Sequence, residues 1–214
     1  MLSNLSKFTL TSWLLFILEL AAILAALCLL VKACILLRAL IKRIKLLHRI
    51  KKLCRERGYA LDCRPGYYTS LIAKSSAPEL FITTPDKTYA VKFFACLKYK
   101  DSYTLTDLNS FYTTNNNKPI FVNLRFPTTG SGILKGKPNL HAITKSEESY
   151  IKQEKKRPAV SFPEGTEKLL CIHPMAVEVY AVRTNRPERI FDGDHFRDCT
   201  VCSGSGLEKL ISTL

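Results

Sequence analysis

The chain has 214 residues, with 32 Lys and Arg against 18 Asp and Glu, a formal net charge of +14. Hydrophobic residues make up 47% and charged residues 23%. These proportions exclude a wholly disordered chain, a collagen-like repeat and a multi-span membrane protein, and the length allows one ordinary domain with an appendage. The charge is unevenly placed: residues 1–57 carry 11 basic and 2 acidic side chains, and Gly58 is a natural point of division.

Trp13 to Val31 is a run of 19 residues with one charge, Glu19. As a helix it spans about 28 Å, close to the thickness of a bilayer core. Trp13 and Lys32 stand at its two ends as interfacial anchors, and the apolar text continues through Leu37. Residues 1–37 therefore read as an N-terminal tail and a transmembrane helix. The apolar core is too long for a typical cleaved signal, and a basic run follows it as in a stop-transfer segment. The N-terminal flank offers Lys7, whereas the C-terminal flank is dense in Lys and Arg, including Lys32, Arg43 and Lys51. The positive-inside rule then predicts an N-terminus outside and a cytoplasmic C-terminal domain. Eight Cys at irregular positions do not form a disulfide framework, which agrees with that side. Glu19 reads as a protonated or snorkelling carboxyl near the interface, or as a polar contact to a partner helix.

Between Arg38 and Arg57 lie nine basic residues and one acidic residue, Glu56. Arg38, Lys42, Lys45, Arg49 and Lys52 recur at spacings of four and three, so they line one helical face. Leu40, Ile41, Ile44, Leu47 and Leu53 occupy much of the rest. Residues 38–57 thus read as a basic amphipathic juxtamembrane helix, capped by Gly58 and drawn to anionic headgroups of the inner leaflet. The same stripe suits nucleic acid, or serves only to set topology.

From residue 58 the hydrophobic period shortens. Leu80–Thr83, Ala90–Ala95, Phe121–Phe126, Leu169–Ile172 and Val177–Val182 read as strands, and Pro85-Asp86-Lys87 as the turn of a hairpin. Thr129–Gly132, Gly136–Pro138 and Lys145–Arg157 read as loop, with Thr144 and Glu147 placed to open an exposed helix. Ser205 and Glu208 have capping-box spacing before a terminal helix over Leu207–Leu214. The predicted class is α+β, with residues 58–214 as a cytosolic mixed α/β domain.

Most motifs have simple explanations. Cys199-Thr-Val-Cys202 near His195 superficially resembles a zinc half-site, but Thr200 and Val201 favour an extended strand that sends the thiols to opposite faces. Asp192-Gly193-Asp194 lacks the ligand spacing of a calcium loop and reads as a turn. The Ser203–Gly206 segment has no Walker or dinucleotide spacing, so a helix cap suffices. His173 reads as a satisfied histidine in a bent connection. The sequence predicts no catalytic set, no metal site and no cofactor.

One resemblance is carried by Pro78-Glu79-Leu-Phe-Ile82, a turn, and Tyr89-Ala-Val-Lys92-Phe-Phe94. This text, with the preceding helix, resembles the start of a restriction-endonuclease-like domain of the PD-(D/E)xK superfamily, over residues 40–98. That family runs helix, strand, then a hairpin carrying one acid and the E-x-K. Glu79 falls at the first acidic position, Lys92 where the second acid is expected, and Phe94 where the lysine is expected. The resemblance implies a nuclease-like fold with a degenerate site in which Lys92 pairs with Glu79 in place of a metal. The expected function is a membrane-anchored, non-catalytic binding or scaffold domain, or else an inactive nuclease-like module that holds nucleic acid. Expected partners are anionic lipid, nucleic acid, and a protein or second copy through the transmembrane helix.

Overall fold

The stretch from Leu10 to Arg57 contains neither Gly nor Pro, and it forms one helix of 48 residues, α1. In the computed structural model the described residues are 10–72, 75–97, 101–108, 110–114, 123–125, 139–141, 151–156, 160–176, 178–182 and 187–214. The helix stops at Gly58, whose φ of +70° an L side chain resists. Gly58 N–H bonds to the Arg55 carbonyl and Tyr59 N–H to the Cys54 carbonyl at 2.8 Å, closing a Schellman cap.

The chain divides into two compact units after Arg38. In the first, the described helix is apolar on every face, with Trp13 through Val31 exposed all round. It is the one candidate membrane span among the described residues. That exposure distinguishes it from a soluble core helix, which would hide one side. The chain carries a single apolar N-terminal helix suited to a single-pass membrane topology.

The second unit, residues 39–214, is built on a mixed sheet. β1 (Ala60–Cys63), β2 (Leu80–Thr83) and β3 (Thr88–Phe94) form an antiparallel meander. Thr84 and Lys87 exchange backbone and side-chain hydrogen bonds across the expected Pro85–Lys87 turn. β3 then pairs in parallel with a strand far along the chain. Between them come β4 (Ser102–Asp107), β5 (Ser110–Thr114), β6 (Asn123–Arg125), β7 (Asn139–His141) and β8 (Ile151–Lys156). Next are β9 (Glu167–Ile172), β10 (Val179–Val182), β11 (Pro187–Arg189), β12 (His195–Phe196) and β13 (Cys199–Ser203). The first sheet runs β1-β2-β3-β9-β13-β12, and the second β11-β10-β4-β5-β8. A four-residue turn of helix, α2 (Gly66–Thr69), lies between β1 and β2, and α3 (Gly204–Thr213) follows β13.

Alternation along the central strands makes two cores. Val91 and Phe93 of β3, with Leu169 and Cys171 of β9, meet Leu46, Leu47 and Ile50 of α1 and Leu207 of α3. On the other face Phe94, Leu170 and Ile172 meet Tyr103, Phe111 and Val179 of the second sheet. Being covered on both sides, β3 is buried from Ala90 to Phe94, and apart from Lys92 that stretch is apolar on both faces.

Residues 39–57 group with the α/β unit, although composition alone divides the chain at Gly58. Ala39, Arg43, Leu46, Leu47, Ile50 and Cys54 recur at helical spacing and form a buried face. The charged stretch expected as loop differs too: Ile151–Lys156 is β8, paired antiparallel with β5. Its polar composition hides the period-two signal. β4 and β5, rich in Ser, Thr and Tyr, are likewise strands without a long apolar run. The expected strand at Phe121–Phe126 is described only at Asn123–Arg125. Val177, the two glycine-containing loops at 129–132 and 136–138, and the Thr144–Glu147 capping pair lie outside the described residues.

Candidate functional site

Glu79 stands at the N-terminal edge of β2 and is wholly buried; Lys92 lies on β3 and is 5% exposed. The β2–β3 register sets Leu80 opposite Val91, which brings the preceding Glu79 beside Lys92. Lys92 Nζ donates to Glu79 Oε1 at 2.6 Å, and to the carbonyls of Ser75 and Ala77 at 2.9 Å each. Glu79 Oε2 accepts from the Phe93 backbone N–H at 2.8 Å. The ammonium thus has three acceptors, and both carboxylate oxygens have a donor. Burying two charges costs several kcal/mol per ion unless their partners are this complete.

Phe94, which falls where the resemblance expects a lysine, is a packed, buried side chain. Its ring packs edge-on against Phe111 with centroids 4.8 Å apart, and against Tyr103 at 6.2 Å. It is a core residue of the sheet–sheet interface. Chemically, the Glu79–Lys92 pair ties the segment before β2 onto β3.

Arg43 is a charged residue of α1 that lies outside the basic stripe. It is 1% exposed, with its guanidinium 5.3 Å from the Phe93 ring centroid and 5.7 Å from that of Tyr67. It donates to the Tyr67 carbonyl at 2.8 Å and the Ser70 hydroxyl at 2.7 Å. The signal that could find it is spacing: it lies four residues after Ala39 and four before Leu47, on the apolar face. Arg38, Lys42, Lys45, Arg49 and Lys52 all face outward from α1. Arg49 is bonded to Glu208 of α3 at 2.7 Å, and Lys52 lies 3.9 Å from Glu56.

The C-terminal ends of the parallel strands hold a second polar cluster. Ser203 caps α3, its hydroxyl accepting from Gly206 N–H at 2.9 Å. Glu208 of the expected Ser205 capping box goes instead to Arg49. Asp192, in the expected turn, accepts from the Ser203 N–H and, at 2.9 Å, from its hydroxyl. A carboxylate of the chain itself thus occupies the cap region where a phosphate would be cradled. His173 lies beside Gly204 with Nε2 3.2 Å from the Lys42 carbonyl. Burial lowers its pKa; the Lys42 carbonyl opposes this, and the charges of Arg43, Arg49 and Lys42 add to the lowering.

Cys199 and Cys202 are buried on opposite faces of β13, one in each core, as an extended strand requires. Burial, helped by Asp198, pushes the Cys199 thiol up to about 12. Burial, with Cys202 beside it, raises Cys171 well above the ordinary thiol range. Such thiols are poor nucleophiles at neutral pH. Among the described residues no group of three His, Cys, Asp or Glu side chains is placed to hold a metal ion. No protein-family model, curated protein or solved structure matches the chain.

Proposed function

We propose that this chain is a single-pass membrane protein whose cytosolic α/β unit is a non-catalytic binding or scaffold module. The observation that carries the reading is the closed Glu79–Lys92 pair. A divalent cation recruited to Glu79 would have to displace an ammonium that already satisfies one carboxylate oxygen and two carbonyls. Metal-assisted hydrolysis needs several hard oxygen ligands around an open position, and here the Lys92 ammonium fills the position on which the oxygens converge. The outward basic side chains of α1 suit anionic headgroups at the inner leaflet.

A second reading rests on chain order. Helix, β1 and then the β2–β3 hairpin follow one another as in a restriction-endonuclease-like domain, with Glu79 and Lys92 adjacent in space. In that reading the unit is an inactive nuclease-like module holding nucleic acid at the membrane. Crosslinked capture of the full chain from membranes, with and without nuclease, separates the two. A protein partner that survives nuclease supports the scaffold, and co-purifying nucleic acid supports the alternative. Cleavage of plasmid or single-stranded substrate by the full chain with Mg²⁺ or Mn²⁺, abolished by Glu79→Ala, would overturn both.

A further inference from the structure

The oxygens around the Lys92 ammonium are held in place by bonds that do not involve the lysine side chain. Glu79 is fixed through its main chain: its N–H donates to the Val91 carbonyl and its carbonyl accepts from the Arg64 N–H, each at 3.0 Å. Its Oε2 accepts from the Phe93 N–H at 2.8 Å, which leaves Oε1 for the lysine. The Ser75 and Ala77 carbonyls sit on a short turn in which Ser75 Oγ accepts from the Ala77 N–H at 3.2 Å. Between them, the Ser76 carbonyl accepts from the Ser161 N–H at 3.0 Å. Gly66 packs close by: a Cβ there would lie 3.6 Å from Glu79 Cγ and 3.9 Å from Ser75 Oγ. The cage is thus preorganised by the main chain around it.

Charge and distance define the cation that such a cage suits. Three described oxygens converge on Lys92 Nζ, Glu79 Oε1 at 2.6 Å and the two carbonyls at 2.9 Å each. Together they carry one negative charge, and Glu79 is wholly buried, so that charge has to be balanced inside the protein. A monovalent cation balances it, whereas a divalent one leaves a net positive charge buried. Mg²⁺ also demands near-octahedral oxygens at about 2.0–2.1 Å, well inside the contacts here. Potassium is close to an ammonium in size, and rings of main-chain carbonyls bind it in place of its hydration shell. The described oxygens therefore do not fit the divalent ion that a nuclease-like resemblance implies.

We propose that Ser75, Ala77 and Glu79 form a monovalent-cation site that Lys92 fills from within the chain, and that this site takes up potassium or a small primary ammonium once the lysine side chain is removed. The assignment rests on the closed pair that carries the non-catalytic reading, and deepens it by naming the cation class of that site. Being covalently tethered, the Lys92 ammonium acts as an intramolecular ligand and keeps free cations out of the wild-type cage.

The test uses the full chain in a nonionic detergent, with thermal melting followed by near-ultraviolet circular dichroism. Lys92→Ala removes the lysine beyond Cβ, which is the atoms of a propylammonium ion. Potassium chloride or propylammonium chloride at about ten times the Kd should raise the Tm of this variant by about 3–6 °C over tetramethylammonium chloride of equal ionic strength. The wild-type chain and Lys92→Met, whose side chain fills the same space, should show no such difference. Adding Glu79→Gln to Lys92→Ala should abolish the response, and a response that survives it would overturn the site. Where Lys92→Ala is unfolded in buffer, the same salts are supplied during refolding, and recovery in potassium but not in tetramethylammonium is the expected result. A variant indifferent to the identity of the salt, or unfolded in all of them, would overturn the site. A larger shift with magnesium or manganese chloride would overturn the monovalent assignment. The non-catalytic reading fails separately, through cleavage of nucleic acid by the wild-type chain.

Discussion

Arg43 and Tyr67 bond to each other reciprocally: the guanidinium donates to the Tyr67 carbonyl at 2.8 Å, and the Tyr67 hydroxyl donates to the Arg43 carbonyl at 2.7 Å. The Tyr67 ring also meets Phe93 edge-on with centroids 4.9 Å apart. A helix that looks from composition like a surface stripe is thereby clasped to the centre of the fold.

Arg43→Ala removes two hydrogen bonds from buried or half-buried partners and leaves a cavity under α2. It should cost about 2–4 kcal/mol. Tyr67→Phe removes one hydrogen bond and keeps the ring, so about 1 kcal/mol is expected. Hydrogen exchange at the β3 amides of the full chain measures both. Equal protection in the two variants would contradict the clasp.

Lys92→Met leaves the Glu79 carboxylate buried without its cation and strips the Ser75 and Ala77 carbonyls of a donor. The expected loss is about 3–5 kcal/mol. Pairing it with Glu79→Leu removes both charges, and the double variant should be more stable than Lys92→Met alone. Denaturant unfolding of the four chains gives the coupling. Strict additivity would mean that the pair does not act as a unit.

Gly204 and Gly206 have no room for a side chain. A Cβ on Gly204 would lie 2.4 Å from His173 Nδ1, and one on Gly206 would lie 2.5 Å from Asp192 Cγ. Either Ala substitution should destabilise by about 1–3 kcal/mol. In an Asp192→Ala background the second clash disappears, so Gly206→Ala should then be nearly neutral, which thermal melting of the double variant can check.

His173 supplies a pH dependence of defined sign. Its folded pKa is lowered, by burial first, so the unfolded chain binds the proton more readily. The stability it supports is complete above the unfolded value of about 6.5 and declines as pH falls below that toward the folded value. His173→Gln should flatten that part of the stability–pH curve. An unchanged curve would assign the dependence to other groups.

Truncation tests the membership of α1 in the fold. A chain starting at residue 58 loses Leu46, Leu47, Ile50 and Cys54 from the core. Buried side chains of this kind contribute about 1.5–3 kcal/mol each when large, and together they rival the total stability of a domain. Residues 39–214 should give dispersed amide resonances, whereas residues 58–214 should not. A folded 58–214 chain would make the helix dispensable.

Topology needs exposed reporters, because Cys171 and Cys202 are buried and a folded chain would hide them on either side of a membrane. Ser3→Cys should react with an impermeant thiol reagent outside intact cells, and Asp86→Cys only after permeabilisation. The reverse pattern would invert the orientation expected from the basic flank.

The apolar run from Trp13, the cap at Gly58, the β2–β3 hairpin and the extended Cys199–Cys202 segment were legible in the sequence by itself. Each is written in neighbouring residues: helix rise against bilayer thickness, a glycine at positive φ, a turn between apolar runs, side-chain alternation. Glu79 and Lys92 were legible as a pair because a short hairpin sets their register. The tertiary structure alone decided where the rest of the charge goes. Arg43 and Arg49 are six residues apart on one helix, yet one is sealed beneath Tyr67 and the other reaches Glu208, 159 positions away. The parallel pairing of β3 with β9 spans three strands of the second sheet, β4, β5 and β8, and none of the three carries a long apolar run. Local pattern reports what a residue can do in its own element. Which neighbour it meets depends on contacts between elements far apart in the chain, and those exist only once both cores have closed.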